Sequence, residues 1–155
     1  MHEEYMQMAL QLATEAAAMN EVPVGCVIVR GDEIVGRGYN LRNTNKSVLC
    51  HAEITALAEA SAACGDWRLE DCTLYVTVEP CPMCAGAIVQ ARVKSVVFGT
   101  RNRKAGCAGS ILDILNEPRF NHQVDVVEGV LQEECAGLMT RFFKRFRENK
   151  SQSIE

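Results

Sequence analysis

The sequence predicts an α/β fold, a three-layer α/β/α sandwich around a central five-stranded mixed sheet. Three observations predict it. Five short runs rich in β-branched and apolar residues alternate with segments of helical periodicity. The first two runs are joined only by Gly31-Asp32, which makes them a hairpin. A chain of 155 residues, 48% of them hydrophobic, is enough for one full core and one domain, here taken as residues 1–150, with a tail over 151–155 expected to fray.

From the N-terminus, Tyr5, Met8, Leu12, Ala16 and Met19 recur at helical spacing, and the run ends at Asn20 ahead of Pro23. Val24 to Val29 and Glu33 to Tyr39 are the hairpin strands, closed by Asn40. Asn43 to Ser47 is polar loop. Ala52, Thr55, Ala56, Ala58, Glu59 and Ala60 favour a helix that starts near His51 and fades by Gly65. Thr73 to Val78 is a short buried strand that stops at Glu79-Pro80, and Pro82 suits the first turn of a helix reaching Gln90. Val93 to Gly99 is the fourth strand. Arg101 to Gly109 is an ordered loop, followed by a short helix around Ile111 to Leu115, a fifth strand over Val124 to Val127, and a closing helix over Gln132 to Arg147 with Leu138, Phe142 and Phe146 inward.

Met1 to Met8 carry acids and no apolar run, and no stretch approaches the roughly 18 apolar residues of a membrane span, so no membrane association and a cytoplasmic location are expected. Of eight cysteines, Cys26, Cys64, Cys72, Cys107 and Cys135 fit the role of small buried hydrophobes in a reducing compartment. The formal net charge of −4 argues against a protein that coats nucleic acid. The charge is uneven, however. Arg92, Lys94, Arg101, Arg103 and Lys104 form one basic group, and Arg141, Lys144, Arg145, Arg147 and Lys150 another. On the residues alone these are either two solvated faces or phosphate contacts.

Two helix starts carry the chemistry. His51-Ala52-Glu53 opens one, and Pro80-Cys81-Pro82-Met83-Cys84 opens the other. Cysteines three apart on a helical turn point their sulfurs to one side, and the imidazole completes three ligands for zinc. A structural zinc site closes its tetrahedron with a fourth side chain, and none is evident here: His2 lies near the terminus, His122 in a distant loop, and Cys50 points away. The open corner marks a catalytic site, where zinc brings the pKa of bound water to about 7. Helix N-termini favour the thiolates. Glu53, two residues beyond a ligand, is placed to move protons. H-x-E together with P-C-x-x-C is a known signature of zinc nucleobase deaminases, in which hydroxide attacks the carbon bearing the amine.

At these residues the chain resembles the cytidine deaminase-like superfamily, and within it the bacterial tRNA adenosine deaminases. Glu21-Val22-Pro23-Val24-Gly25, Tyr39-Asn40, His51-Ala52-Glu53, Leu74-Tyr75-Val76-Thr77, Glu79 to Cys84, Ala108-Gly109-Ser110, Asn121-His122 and Phe142-Phe143 carry the likeness. The resemblance implies a cytidine deaminase-like sheet, one Zn²⁺ per subunit, and a homodimer whose sites are finished near the subunit boundary. It also implies hydrolysis of the wobble adenosine of a tRNA anticodon stem-loop to inosine. Asn40 would contact the flipped base, a role that competes with closing the hairpin. Asn121 and Phe142 would touch the target nucleotide or its neighbours, with core packing the rival for Phe142. Arg101, Arg103, Lys104, Arg141, Lys144 and Arg145 would meet backbone phosphates.

The chain departs from the family pattern in having Ser47-Val48-Leu49-Cys50 before the histidine, where Asp-Pro-Thr-Ala is usual. It also has Asn102 where an acid is common, which makes Asn102 a candidate contact to the ribose and implies weaker discrimination of RNA from DNA. The runner-up reading is a zinc deaminase of a free base or small nucleoside such as guanine or cytosine. A noncatalytic zinc module that binds RNA is disfavoured by Glu53.

Overall fold

The computed structural model describes residues 1–154; of the tail expected to fray, Glu155 lies outside the described residues. Four helices, α1 (His2–Ala18), α2 (Ala52–Cys64), α3 (Pro82–Gln90) and α4 (Gln132–Ile154), surround five strands, β1 (Gly25–Arg30), β2 (Glu33–Tyr39), β3 (Cys72–Val78), β4 (Ser95–Thr100) and β5 (Asp125–Glu128). The strands form one sheet in the order β2-β1-β3-β4-β5. β1 is antiparallel to both β2 and β3, whereas β3, β4 and β5 run parallel. The sheet is therefore mixed, as the sequence predicts.

The period of two along β1 divides the core between the faces of the sheet. Cys26 and Ile28 pack with Ala56, Leu57, Leu74, Val76, Ile88 and Phe98 beneath α2 and α3. Val27 and Val29 join Met6, Ala9, Tyr75, Val97 and Cys135 on the side of α1 and α4. Both faces of the central strands are covered, which is why β1 and β3 read as almost continuous apolar runs.

α2 lies unusually close to β2. A Cβ at Gly36 would run into the carbonyl oxygen of Ala56, and one at Gly38 into that of Ala52. The two glycines let the helix rest on bare backbone and set the height of its first turn above the sheet. Gly38→Ala is expected to destabilise the fold by about 1–3 kcal/mol, the usual cost of overpacking. A lower denaturant midpoint at constant slope would show it, and an unchanged midpoint would mean that α2 shifts freely.

Two sequence expectations are corrected. Residues 111–115 form no helix: the Ile111 amide donates to the Gly106 carbonyl and that of Ile114 to Cys107, while Ala108 bridges Asp113. Those bonds close a loop and leave no helical ladder. Phe146 faces outward at 53% exposure, because the inward stripe of α4 ends at Phe142, where α4 passes the sheet. His2 belongs to α1, and its Nδ1 lies 2.7 Å from the Tyr75 hydroxyl.

Candidate active site

The site is built on two helix N-termini. His51 is the N-cap of α2 and Cys81 the N-cap of α3, both with extended backbone, and Pro82 takes the first helical position of α3. α3 follows β3 directly, so the thiols lie at the carboxyl end of a central parallel strand, where open α/β sheets place their sites. Cys84, one turn into α3, is fully buried.

The geometry fits a metal. His51 Nδ1 lies 3.6 Å from Cys81 Sγ and 3.5 Å from Cys84 Sγ. A tetrahedral zinc at about 2.3 Å from sulfur and about 2.1 Å from nitrogen needs N···S edges of roughly 3.6 Å. The three ligand atoms lie within 4.8 Å of one another, and among the described residues no fourth His, Cys, Asp or Glu joins them. A bond from Cys84 lowers the Cys81 thiol to about 4, and the same bond, then burial, pushes Cys84 up. His51 is raised, chiefly by its contact with Cys81. Both sulfurs meet the same imidazole nitrogen, and a divalent cation binding there would take thiolates and release their protons.

Glu53 is in the first turn of α2 and 4% exposed. Burial raises its carboxyl to about 7, against weaker opposition from its own backbone amide. A carboxyl poised near neutrality can both take and give a proton at working pH. His51, Glu53 and Cys81 line a cavity of about 230 Å³ together with Val22, Val24, Asn40, Arg42, Val78, Glu79, Asn102, Ala105 and Met139. This is smaller than the roughly 300–1,000 Å³ of sites for drug-sized ligands and suits one flat ring system.

The other expected contacts divide into two sets. Asn40 lines the cavity while its Nδ2 donates to the Val22 carbonyl and its Oδ1 accepts from the Arg42 amide. It closes the hairpin and still has one N–H and one lone pair for a ligand. Asn102 also lines the cavity, but its Oδ1 accepts the amides of Lys104 and Ala105 at 3.3 and 3.1 Å. Its side chain therefore shapes its own turn.

Phe142 and Asn121 are not brought to the cavity within one chain. Phe142 is 6% exposed and lines a separate groove with Thr14, Leu138, Arg141 and Arg145, whereas Asn121 is exposed. Arg101 forms a two-pronged ion pair with Glu128, Nε to Oε2 at 2.9 Å and Nη2 to Oε1 at 3.0 Å. Arg103, Lys104, Arg141, Lys144 and Arg145 are exposed and make no ion pair among the described residues.

Several lining residues carry no signal that sequence reasoning assigned to the site. Arg42 and Ala105 come from loops, and Met139 comes from α4, 86 positions after Glu53 in the chain. Only the two-residue step from Asn40 to Arg42 could have pointed to one of them.

The comparisons agree with this geometry. The pattern of the MafB19-like deaminases matches residues 1–147. A tRNA-specific adenosine deaminase of Bacillus subtilis (strain 168) is 51% identical over 148 residues, which cover 96% of this chain and 92% of the relative. One of Streptococcus pyogenes serotype M18 is 47% identical, covering 96% and 94%. A solved structure from work on tRNA:A34 deaminases acting at the wobble position superposes with a TM-score of 0.83 at 36% identity, covering 87% of this chain and 98% of that one. Matched along nearly its whole length in sequence and in fold, the chain belongs to the MafB19-like deaminases and to the family of the tRNA-specific adenosine deaminases.

Proposed function

We propose that this protein is a zinc-dependent hydrolase that converts adenosine to inosine at the wobble position of a tRNA anticodon loop. The observation that carries the reading is the His51-Cys81-Cys84 triangle at one end of a base-sized cavity, with buried Glu53 beside it. One zinc per subunit would be held by those three side chains, and bound there it supplies hydroxide at neutral pH by lowering the pKa of water to about 7.

The chain's own groups do the rest. Glu53 takes a proton from water and delivers it to the purine ring nitrogen next to the carbon that carries the amine. A second proton through the same carboxyl lets the amine depart, so that adenosine and water give inosine and ammonia. Asn40 offers its remaining N–H and lone pair to the base. Arg103, Lys104, Arg141, Lys144 and Arg145 are free to meet phosphates of the splayed loop, while Arg101 would first have to leave Glu128. Asn121 and Phe142 would take part only where a neighbouring subunit or the flanking nucleotides reach them.

A homodimer is part of this reading. An apolar groove between α2 and α3, lined by Ile54, Leu57, Ala58, Trp67, Ala87 and Ala91 and with Trp67 54% exposed, supports it. No helix among the described residues is long and apolar enough to cross a membrane, and a tRNA substrate agrees with a cytoplasmic location.

The test offers purified protein an anticodon stem-loop with adenosine at the wobble site, beside free adenosine, guanine and cytosine, and measures inosine and ammonia. Turnover confined to the stem-loop is expected. Turnover of guanine or cytosine alone would replace the reading by that of a free-base deaminase.

A further inference from the structure

Glu79 follows the last residue of β3, is 1% exposed, and makes no ion pair among the described residues, although Arg101 lies close enough to feel its charge; no group around it is left unpartnered. Four donors from one loop converge on it. Its Oε1 accepts the Asn102 amide at 3.1 Å and the Ser110 hydroxyl, and its Oε2 accepts the amides of Ala108 and Ser110 at 2.9 and 3.0 Å. The loop 101–110 is wrapped around the carboxylate so closely that a Cβ at Gly106 would run into the Glu79 side chain.

The same loop supplies Asn102 and Ala105 to the wall of the cavity. With the Asn102 side chain engaged in its own turn, the position of that wall depends on what anchors the turn. One backbone bond, from the Cys107 amide to the Pro80 carbonyl at 2.8 Å, ties the loop beside the thiol ligand. Among the described residues the remaining polar anchorage of 102–110 at the end of β3 is Glu79, beside the burial of Cys107 and Ala108 in the core. A carboxylate can accept from four donors at once, whereas an amide of the same shape would turn an NH₂ toward two of them.

We propose that Glu79 is a positioning residue: it fixes the 101–110 wall at the separation at which a purine fits, and so governs substrate binding without touching the reacting atoms. The proposal rests on the adenosine deaminase reading for its substrate. It predicts a division of labour between two acids, Glu53 for turnover and Glu79 for the shape of the pocket.

Glu79→Gln separates this from a merely structural role. Measured on the wobble-adenosine stem-loop with zinc-loaded protein, KM should rise by roughly tenfold or more, the effect of losing buried hydrogen bonds to a charge. kcat should stay within about threefold and zinc at wild-type content, since uniform binding is what is lost. Amide exchange at Asn102, Ala108 and Ser110 should quicken in the same variant. A lower melting temperature with unchanged KM would overturn the proposal, as would a parallel fall in kcat and zinc content, which would mean that Glu79 acts through Cys81. Should Glu79→Gln fail to fold, Ser110→Ala removes one donor and should still raise KM a few-fold; an unchanged KM there is equally fatal. A wild type that is silent on the stem-loop sinks the functional reading and this proposal with it. An active wild type with an indifferent Glu79→Gln sinks only the proposal.

Discussion

Glu53→Gln is expected to lower kcat on the stem-loop by roughly 10²–10⁴-fold, the span ascribed to general acid–base catalysis, while zinc content and fold are retained. The amide has the shape of the carboxyl and cannot shuttle a proton. Glu53 belongs to no ligand group and is buried in the first turn of α2, so the substitution leaves the imidazole and both sulfurs in place. The carboxyl is held near 7 mainly by burial, and the neutral amide lacks that desolvation cost, so stability should hold or rise. Single-turnover inosine formation and metal analysis on the same preparation check both halves. Undiminished turnover would remove Glu53 from the chemistry.

Alanine at His51, Cys81 or Cys84 acts a step earlier. Apparent free energies of about 10–16 kcal/mol for four-ligand zinc sites put several kcal/mol on each ligand, so removing one of three should weaken zinc binding by roughly a thousandfold. Both metal and turnover then disappear together, in contrast to Glu53→Gln. Cys84→Ala should also cost the most stability, because its sulfur is fully buried while the other two ligands are partly exposed. Zinc titration against a competing chelator reads the affinity directly. Full occupancy in all three variants would show that the triangle is not the metal site.

The difference between these variants marks how much of the site could be read without coordinates. His51, Glu53, Cys81 and Cys84 carry their chemistry in residue type and local spacing, since both halves open helices and the helix start aims the side chains. The strands were legible for a similar local reason: β1 and β3 are covered on both faces and are apolar almost throughout. Contacts made across long separations left no local trace. Arg101 reads as a free cation until Glu128, 27 positions later, is seen to pair with it. Residues 111–115 have the composition of a helix, but the amides of Ile111 and Ile114 go to the carbonyls of Gly106 and Cys107, and the carbonyls of Leu112 and Leu115 accept from Gly109 and Val124. In each case tertiary partners overrode a local preference.

The bare backbone contact at Gly36 and Gly38 bears on how such a scaffold can diversify. Over Gly36 and Gly38 no side-chain layer separates helix and strand, so at this contact there is nothing to trim that would tilt the first turn carrying His51 and Glu53 by a small step. Drift in sequence can reach the hydrolytic centre only through a steric jump, whereas exposed rim positions such as Arg42, Arg103 and Lys104 can change by single substitutions. New substrates on this frame would therefore arise by remodelling the rim around a chemistry that stays where it is.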